Sequence, residues 1–404
     1  MRFGRLMCFW QSLRPHFLCR YCDRKFARSP PKPIASVVMH NSKKIKTTTQ
    51  QVHMKTFIST IFLLTSFLTF GQNLTIKDLW NQYQSGNYDK VIENAKPFLD
   101  TDSLKPDLNL LLGRTYTDKK DYSKAIPYLE YTIKNEPNNS WRRVWASAYI
   151  GTCYFMQQDY ENSRKATKEC IDLNVTKNAT NYAFSRLLLF GFDDFYQNWK
   201  IVESENFRFH FQNMSDSEIK NYIAIRENAF RDINKFFNSR LPKKIDFFVW
   251  DSREDAKEIL KANLGFARPE FCIVHSHSRQ TVGHEMTHVI SNYTAEISNK
   301  NRFINEGTSV YFDQSNQDRL KQTKDWKAKN KTKIVIKDCW INGEKYSEEI
   351  LYPLACVFTK ELIDNFGKDK FLEFFKNQTY DNAKIVFGDK LDRLIEKTEN
   401  EINK

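Results

Sequence analysis

The trio Gly86-Asn87-Tyr88 returns as Lys120-Asp121-Tyr122 and again as Gln158-Asp159-Tyr160, at intervals of 34 and then 38 residues. Repetition at that period constrains the fold strongly. A unit so short makes one helical hairpin, which cannot bury its own apolar face and must stack on a copy of itself. Each trio reads as a turn followed by an amphipathic helix, and the one over Ser123 to Asn135 stops at Glu136-Pro137. Ahead of two trios stand Leu112-Gly113-Arg114-Thr115-Tyr116 and Ile150-Gly151-Thr152-Cys153-Tyr154, with Gly where two helices must approach closely. The longer second interval predicts an insertion in the loop from Pro137 to Trp141.

These features resemble tetratricopeptide repeats, whose first helix carries a Leu-Gly-x-x-Tyr core. About three repeats are visible, and Asn181 to Trp199 reads as a closing helix that buries the last repeat and docks the next domain. Two uses of the array stay open: a concave surface that binds a peptide or partner protein, or a packing platform for the domain that follows.

Near Ile201 the periodicity changes. Phe207 to Phe211 alternates as a strand, Glu218 to Asn238 is a long helix, and Lys244 to Trp250 is a second strand. Glu270 to His275 reads as a short strand, entered through a turn at Gly265 to Pro269. Lys321 to Lys333, polar and without a period, reads as a surface loop.

The chemistry sits in His284-Glu285-Met286-Thr287-His288. On a helix, residues four apart share a face, so both imidazoles can reach one metal ion. Glu285 is placed as a general base rather than a ligand. Val282, Met286, Val289 and Ile290 supply the apolar stripe such a helix needs. A third ligand is required, and Glu306 stands at the start of a second amphipathic segment after 17 intervening residues, room for a turn and an antiparallel helix. Glu306 completes a His2Glu set for Zn2+, leaving the fourth position for water.

With Asn305-Glu306-Gly307 at this spacing, the sequence resembles the gluzincin metallopeptidases, particularly their aminopeptidase-like branch. The resemblance covers roughly residues 205 to 390. It implies that Tyr352, at the head of a helical pattern ending on Gly367, donates a hydrogen bond to the oxyanion. It also implies that the strand before the metal helix is a sheet edge that pairs with substrate backbone. The branch's Gly-Ala-Met-Glu-Asn segment, which captures a free amino terminus, is absent, so endopeptidase action is at least as well supported as exopeptidase action. With the ligand set complete, His275 and His277 read as surface or cleft residues.

Phe57 to Phe70 is an apolar and hydroxyl run behind Met54-Lys55, suited to the core of a secretory signal peptide ending near Gln72. Residues 1–53 then read as an over-extended start. They hold 11 Lys or Arg against Asp23 alone, a net +10 of the chain's +13, so the basic balance leaves no nucleic-acid footprint on the rest. The five cysteines after Met54 are spaced without a disulfide framework.

The expected architecture is multidomain: an all-α tetratricopeptide-like array at 72–200, then an α+β gluzincin-type metallopeptidase domain at 201–404, behind a signal peptide at 54–71. The expected function is that of an exported zinc peptidase, periplasmic or secreted, with no membrane span in the mature chain. Its substrate is a peptide or protein, and its repeats bind substrate or a partner. The alternatives are an interaction scaffold with a slow or specialised peptidase-like domain, and a zinc amidase acting on cell-wall peptide.

Overall fold

A computed structural model describes residues 74–404 apart from 100, 103 and 104, so the segments at 1–53 and 54–71 lie outside the described residues. Each repeated trio opens in the left-handed region, with φ of 75° at Gly86, 65° at Lys120 and 64° at Gln158. The same turn thus ends the first helix of every pair and delivers the chain to the second at the tyrosine. The pairs are α1 (Ile76–Gln84) with α2 (Tyr88–Ala95), α3 (Lys105–Asp118) with α4 (Tyr122–Asn135), and α5 (Trp141–Met156) with α6 (Tyr160–Leu173). A single helix, α7 (Lys177–Leu189), closes the row. A Cβ on Gly113 would lie 2.5 Å from Leu129 Cδ2, and one on Gly151 would lie 2.6 Å from Thr167 Oγ1, so both glycines set the spacing within a pair. The longer second interval does not come from the Pro137 to Trp141 loop, since only residues 136–140 join α4 to α5; it comes from the helices, with α4 at 14 residues against 8 for α2 and α5 at 16 against 14 for α3.

The strands are β1 (Lys200–Glu203), β2 (Phe207–Phe211), β3 (Ile245–Trp250), β4 (Phe266–Arg268) and β5 (Ile273–His277). They form a mixed sheet in the order β1-β2-β3-β5-β4, parallel across β2, β3 and β5 and antiparallel at both ends. Parallel strands need cover on both faces. On one face Phe207, Phe209, Phe211, Phe247 and Val249 pack under α8 (Asp216–Phe237), which starts on a Ser215–Glu218 capping box and stops at left-handed Asn238. On the other, Phe248, Trp250 and Ile273 pack against Phe155, Phe190, Tyr196 and Trp199 from the end of the array. Every residue of β3 is therefore buried. The described residues form one compact unit, and the array serves as the cover of one sheet face.

Two expectations about this sheet are corrected. The strand before the His284–His288 helix is not an edge, because β3 and β4 flank β5 on its two sides; the edge on that side is β4, three residues long, where a turn was expected. His275 is not a surface or cleft residue. It is fully buried, stacked on Phe248 at 4.3 Å and Phe266 at 5.1 Å. Its Nδ1 accepts from Trp250 Nε1 at 3.1 Å, and its Nε2 donates to the Leu189 carbonyl at 3.1 Å. His277 lies at the end of β5, with Nε2 donating to the Asp251 carbonyl.

The remaining helices are α9 (Arg253–Leu260), α10 (His284–Ser291), α11 (Arg302–Tyr311), α12 (Arg319–Asn330), α13 (Ile336–Ile341), α14 (Glu348–Phe366), α15 (Lys368–Phe375), α16 (Tyr380–Phe387) and α17 (Lys390–Asn403). The expected loop at 321–333 is mostly α12. Its Asp318 N-cap accepts from Lys321 N, and Leu320, Thr323 and Trp326 face the domain core. That stripe is too narrow, and Thr323 too polar, to register as a helical period. Among the described residues all five cysteines are free and buried, and no helix is long and apolar enough to cross a membrane.

Candidate metal centre

The first ligand candidate is also the first residue of α10. Gly283 precedes it with φ of 103°, a conformation L side chains avoid. Its Cβ would lie 2.1 Å from the Phe312 carbonyl oxygen, so only glycine lets the helix start against the end of α11. Met286, Val289 and Ile290 anchor the inner face of α10 in the core, which leaves His284 and His288 side by side with ring centroids 5.0 Å apart.

α11 brings in Glu306. Its Oε2 lies 3.5 Å from His284 Nε2 and 3.4 Å from His288 Nε2. These separations exceed those of charge-assisted hydrogen bonds, about 2.7–2.9 Å. They match the edges of a tetrahedron whose corners sit about 2.0–2.2 Å from a central Zn2+, which are about 3.3–3.6 Å long. Glu306 Oε2 is moreover buried with no hydrogen-bond partner, a costly state for a carboxylate oxygen unless a cation takes it. By donor chemistry and spacing the three residues fit Zn2+. The ligand atoms of His284, Glu285 and His288 also lie within 4.8 Å of one another. Of the two carboxylates, the one with tetrahedral spacing to both imidazoles is Glu306.

His288 is held from behind. Its Nδ1 stands 3.1 Å from Ser309 Oγ and 3.2 Å from the Asn305 side-chain amide. A proton on Nδ1 donated to Ser309 leaves the Nε2 lone pair free for a metal, with the Asn305 amide turned to present its oxygen. Asn305 stands out in the sequence only as part of the Asn305-Glu306-Gly307 motif, not as a partner of His288, and Ser309 does not stand out at all. The available signal was their position, one residue before and three after Glu306, on the face of α11 that meets α10.

Tyr352 lies in the second turn of α14, which begins at Glu348 rather than at the tyrosine and does end at Gly367. Its ring stacks on His284 with centroids 5.9 Å apart. Burial, then the Glu306 charge, pushes its hydroxyl well above the ordinary phenol range, so it stays a proton donor. Burial raises Glu285 as well, against the pull of His284 and His288. For Glu306 burial acts in the same direction, but the two imidazoles outweigh it and hold the carboxylate far below its usual range. Burial opposes a proton on His284, and Glu306 and Glu285 together overcome it and raise that imidazole.

Gly307 decides how closely α11 meets α14. A Cβ there would lie 2.5 Å from the Ala355 carbonyl and 2.7 Å from Thr359 Oγ1. Gly307→Ala should push the two helices apart and cost about 1–3 kcal/mol. It should also weaken metal binding, because Glu306 moves with α11. Urea midpoints and zinc titrations of the variant check both effects, and unchanged values would remove Gly307 from this role.

No protein-family model matches the chain, and no curated protein does.

Proposed function

We propose that the chain is a zinc peptidase of gluzincin type, carrying a tetratricopeptide-like array and acting outside the cytoplasm. The observation that carries this reading is the buried, unpartnered Glu306 oxygen at tetrahedral distance from both imidazoles. His284, His288 and Glu306 would hold the ion. Zn2+ in that set supplies a Lewis acid that makes water a nucleophile near neutral pH.

The chain's own groups do the rest. Glu285 takes the proton of the attacking water and returns it to the leaving amine. Tyr352 donates to the oxygen on which negative charge develops. The outer side of β4, against α10, pairs with an extended peptide and gives affinity with little sequence readout.

Metal content tests the reading directly. The chain from Gln72 should bind about one Zn2+, and Glu306→Ala should bind it at least about a hundredfold more weakly, since one of three protein ligands is gone. A wild-type chain that takes up no zinc when supplied with it would end the enzyme reading.

A further inference from the structure

The inner helices of the array carry a second cluster that the metal chemistry does not use. Arg114 on α3 lies over the rings of Trp80, Tyr83, Trp145 and Tyr149, at 5.4, 5.0, 4.8 and 4.7 Å. Tyr149 stacks on Tyr182 with centroids 5.3 Å apart and planes 3° from parallel. Arg186, one turn after Tyr182 on α7, lies over that ring at 4.5 Å and over Phe271 at 4.5 Å. Guanidiniums and aromatic rings thus alternate across α3, α5 and α7 and reach the segment between β4 and β5. Beside them Lys120, in the turn after α3, lies 5.5 Å over Tyr293, just past the end of α10. The row therefore runs from the array to the segment before β5 and to the end of α10, the helix that carries His284 and His288.

The guanidiniums are held but only partly satisfied: Arg114 Nη2 donates to the Tyr149 hydroxyl at 3.2 Å, and other donors go unpaired. Nε of Arg114 and Nε of Arg186 are both buried without a hydrogen-bond partner. Neither arginine forms an ion pair among the described residues. Asp118, a carboxylate that feels the charge of both, accepts a 2.5 Å hydrogen bond from Tyr83 and pairs with neither. A structural arginine usually meets a carboxylate, since its planar fork matches that group bidentately. Here two arginines lie over aromatic faces with their Nε donors unpaired, an arrangement that costs free energy until an acceptor arrives.

We propose that this row lines a docking groove for an acidic peptide segment, whose side-chain carboxylates take the donor edges of Arg114 and Arg186. Two cations on separate helices favour carboxylates spaced along a chain over a single terminal one. Apolar parts of the segment lie on Trp80 and Trp145, both half-buried. That the docked segment is a substrate rests on the peptidase reading; that it docks does not.

The test uses the full chain with its metal chelated, so that cleavage cannot intervene. The probes are fluorescein-labelled, carboxy-amidated decapeptides that carry two Glu or, at the same places, two Gln. A third probe carries Gln with a free carboxyl terminus. Fluorescence anisotropy should show the Glu peptide binding about tenfold or more tighter than its Gln counterpart. Arg186→Gln and Arg114→Gln should each remove about that factor while circular dichroism is unchanged. If Arg114→Gln fails to fold, Arg186→Gln decides alone. Equal binding of Glu and Gln peptides, or binding that follows only the free terminus, overturns the proposal. Acidic-peptide binding by a chain that takes up no zinc would leave the groove standing and remove only the peptidase.

Discussion

Glu285→Gln should keep one bound Zn2+ per chain and slow peptide hydrolysis by about 10²- to 10⁴-fold, the share a positioned general base contributes. Glutamine keeps the shape of the side chain and cannot accept the proton of water. Glu285 is buried beside, rather than within, the His284–His288–Glu306 triangle, so its replacement leaves the ligand set whole. Burial raises its proton affinity against the pull of both imidazoles. A base must be ionised to act, so activity should fall as pH drops through that raised value, above the ordinary glutamate range of about 4.3. Metal loss in acid would produce a similar limb, because His284 also holds its proton more tightly than a free imidazole. Bound zinc measured at each pH separates the two. Hydrolysis within tenfold of wild type in a zinc-loaded Glu285→Gln chain would reject the mechanism.

How far the sequence revealed this arrangement depended on whether each signal was local. The trios at 86, 120 and 158 show as a period because each fixes the same turn, down to the positive φ at its first residue. His284, Glu285 and His288 show because helical spacing alone puts them on adjoining faces. Other features depend on partners that lie far apart in sequence. β4 is only three residues long and exists because β5 offers it a ladder. His275 looked like a cleft residue because nothing near it in sequence announces Trp250 Nε1 and the Leu189 carbonyl as its partners. Arg114 and Arg186 look like ordinary helix-surface arginines until α3, α5 and α7 align their rings.

Asp246 belongs to this last class, and Asp246→Asn should destabilise the chain by about 3–5 kcal/mol at neutral pH. Alternation along β3 places Asp246 on the array side of the sheet with Phe248 and Trp250, fully buried. There its Oδ2 accepts from Lys243 Nζ at 2.5 Å and from the Tyr160 hydroxyl of α6 at 3.4 Å. Its Oδ1 accepts from His210 Nε2 at 2.9 Å and from Arg208 Nη1 at 3.1 Å. Removing the carboxylate charge leaves the Lys243 ammonium buried and uncompensated, at the seam between array and sheet. Burial alone would raise the Asp246 carboxyl, but Lys243 and then His210 outweigh it and hold it far below the usual range. A carboxyl depressed in the folded state stabilises above its unfolded value, about 3.9, and that contribution fades as pH falls below it. The gap between wild type and Asp246→Asn should therefore narrow only below about pH 4. His275 adds an earlier loss shared by both chains. Burial pushes it down to about 3, so the unfolded chain takes up its proton first as pH drops below about 6.5. Adding Lys243→Met to Asp246→Asn should recover part of the loss, since the uncompensated charge goes with it. Urea unfolding of wild type, single and double variants at pH 7, 5 and 3.5 resolves these terms. A single variant within about 1 kcal/mol of wild type at pH 7 would mean that the seam rests on its aromatic packing rather than on this buried carboxylate.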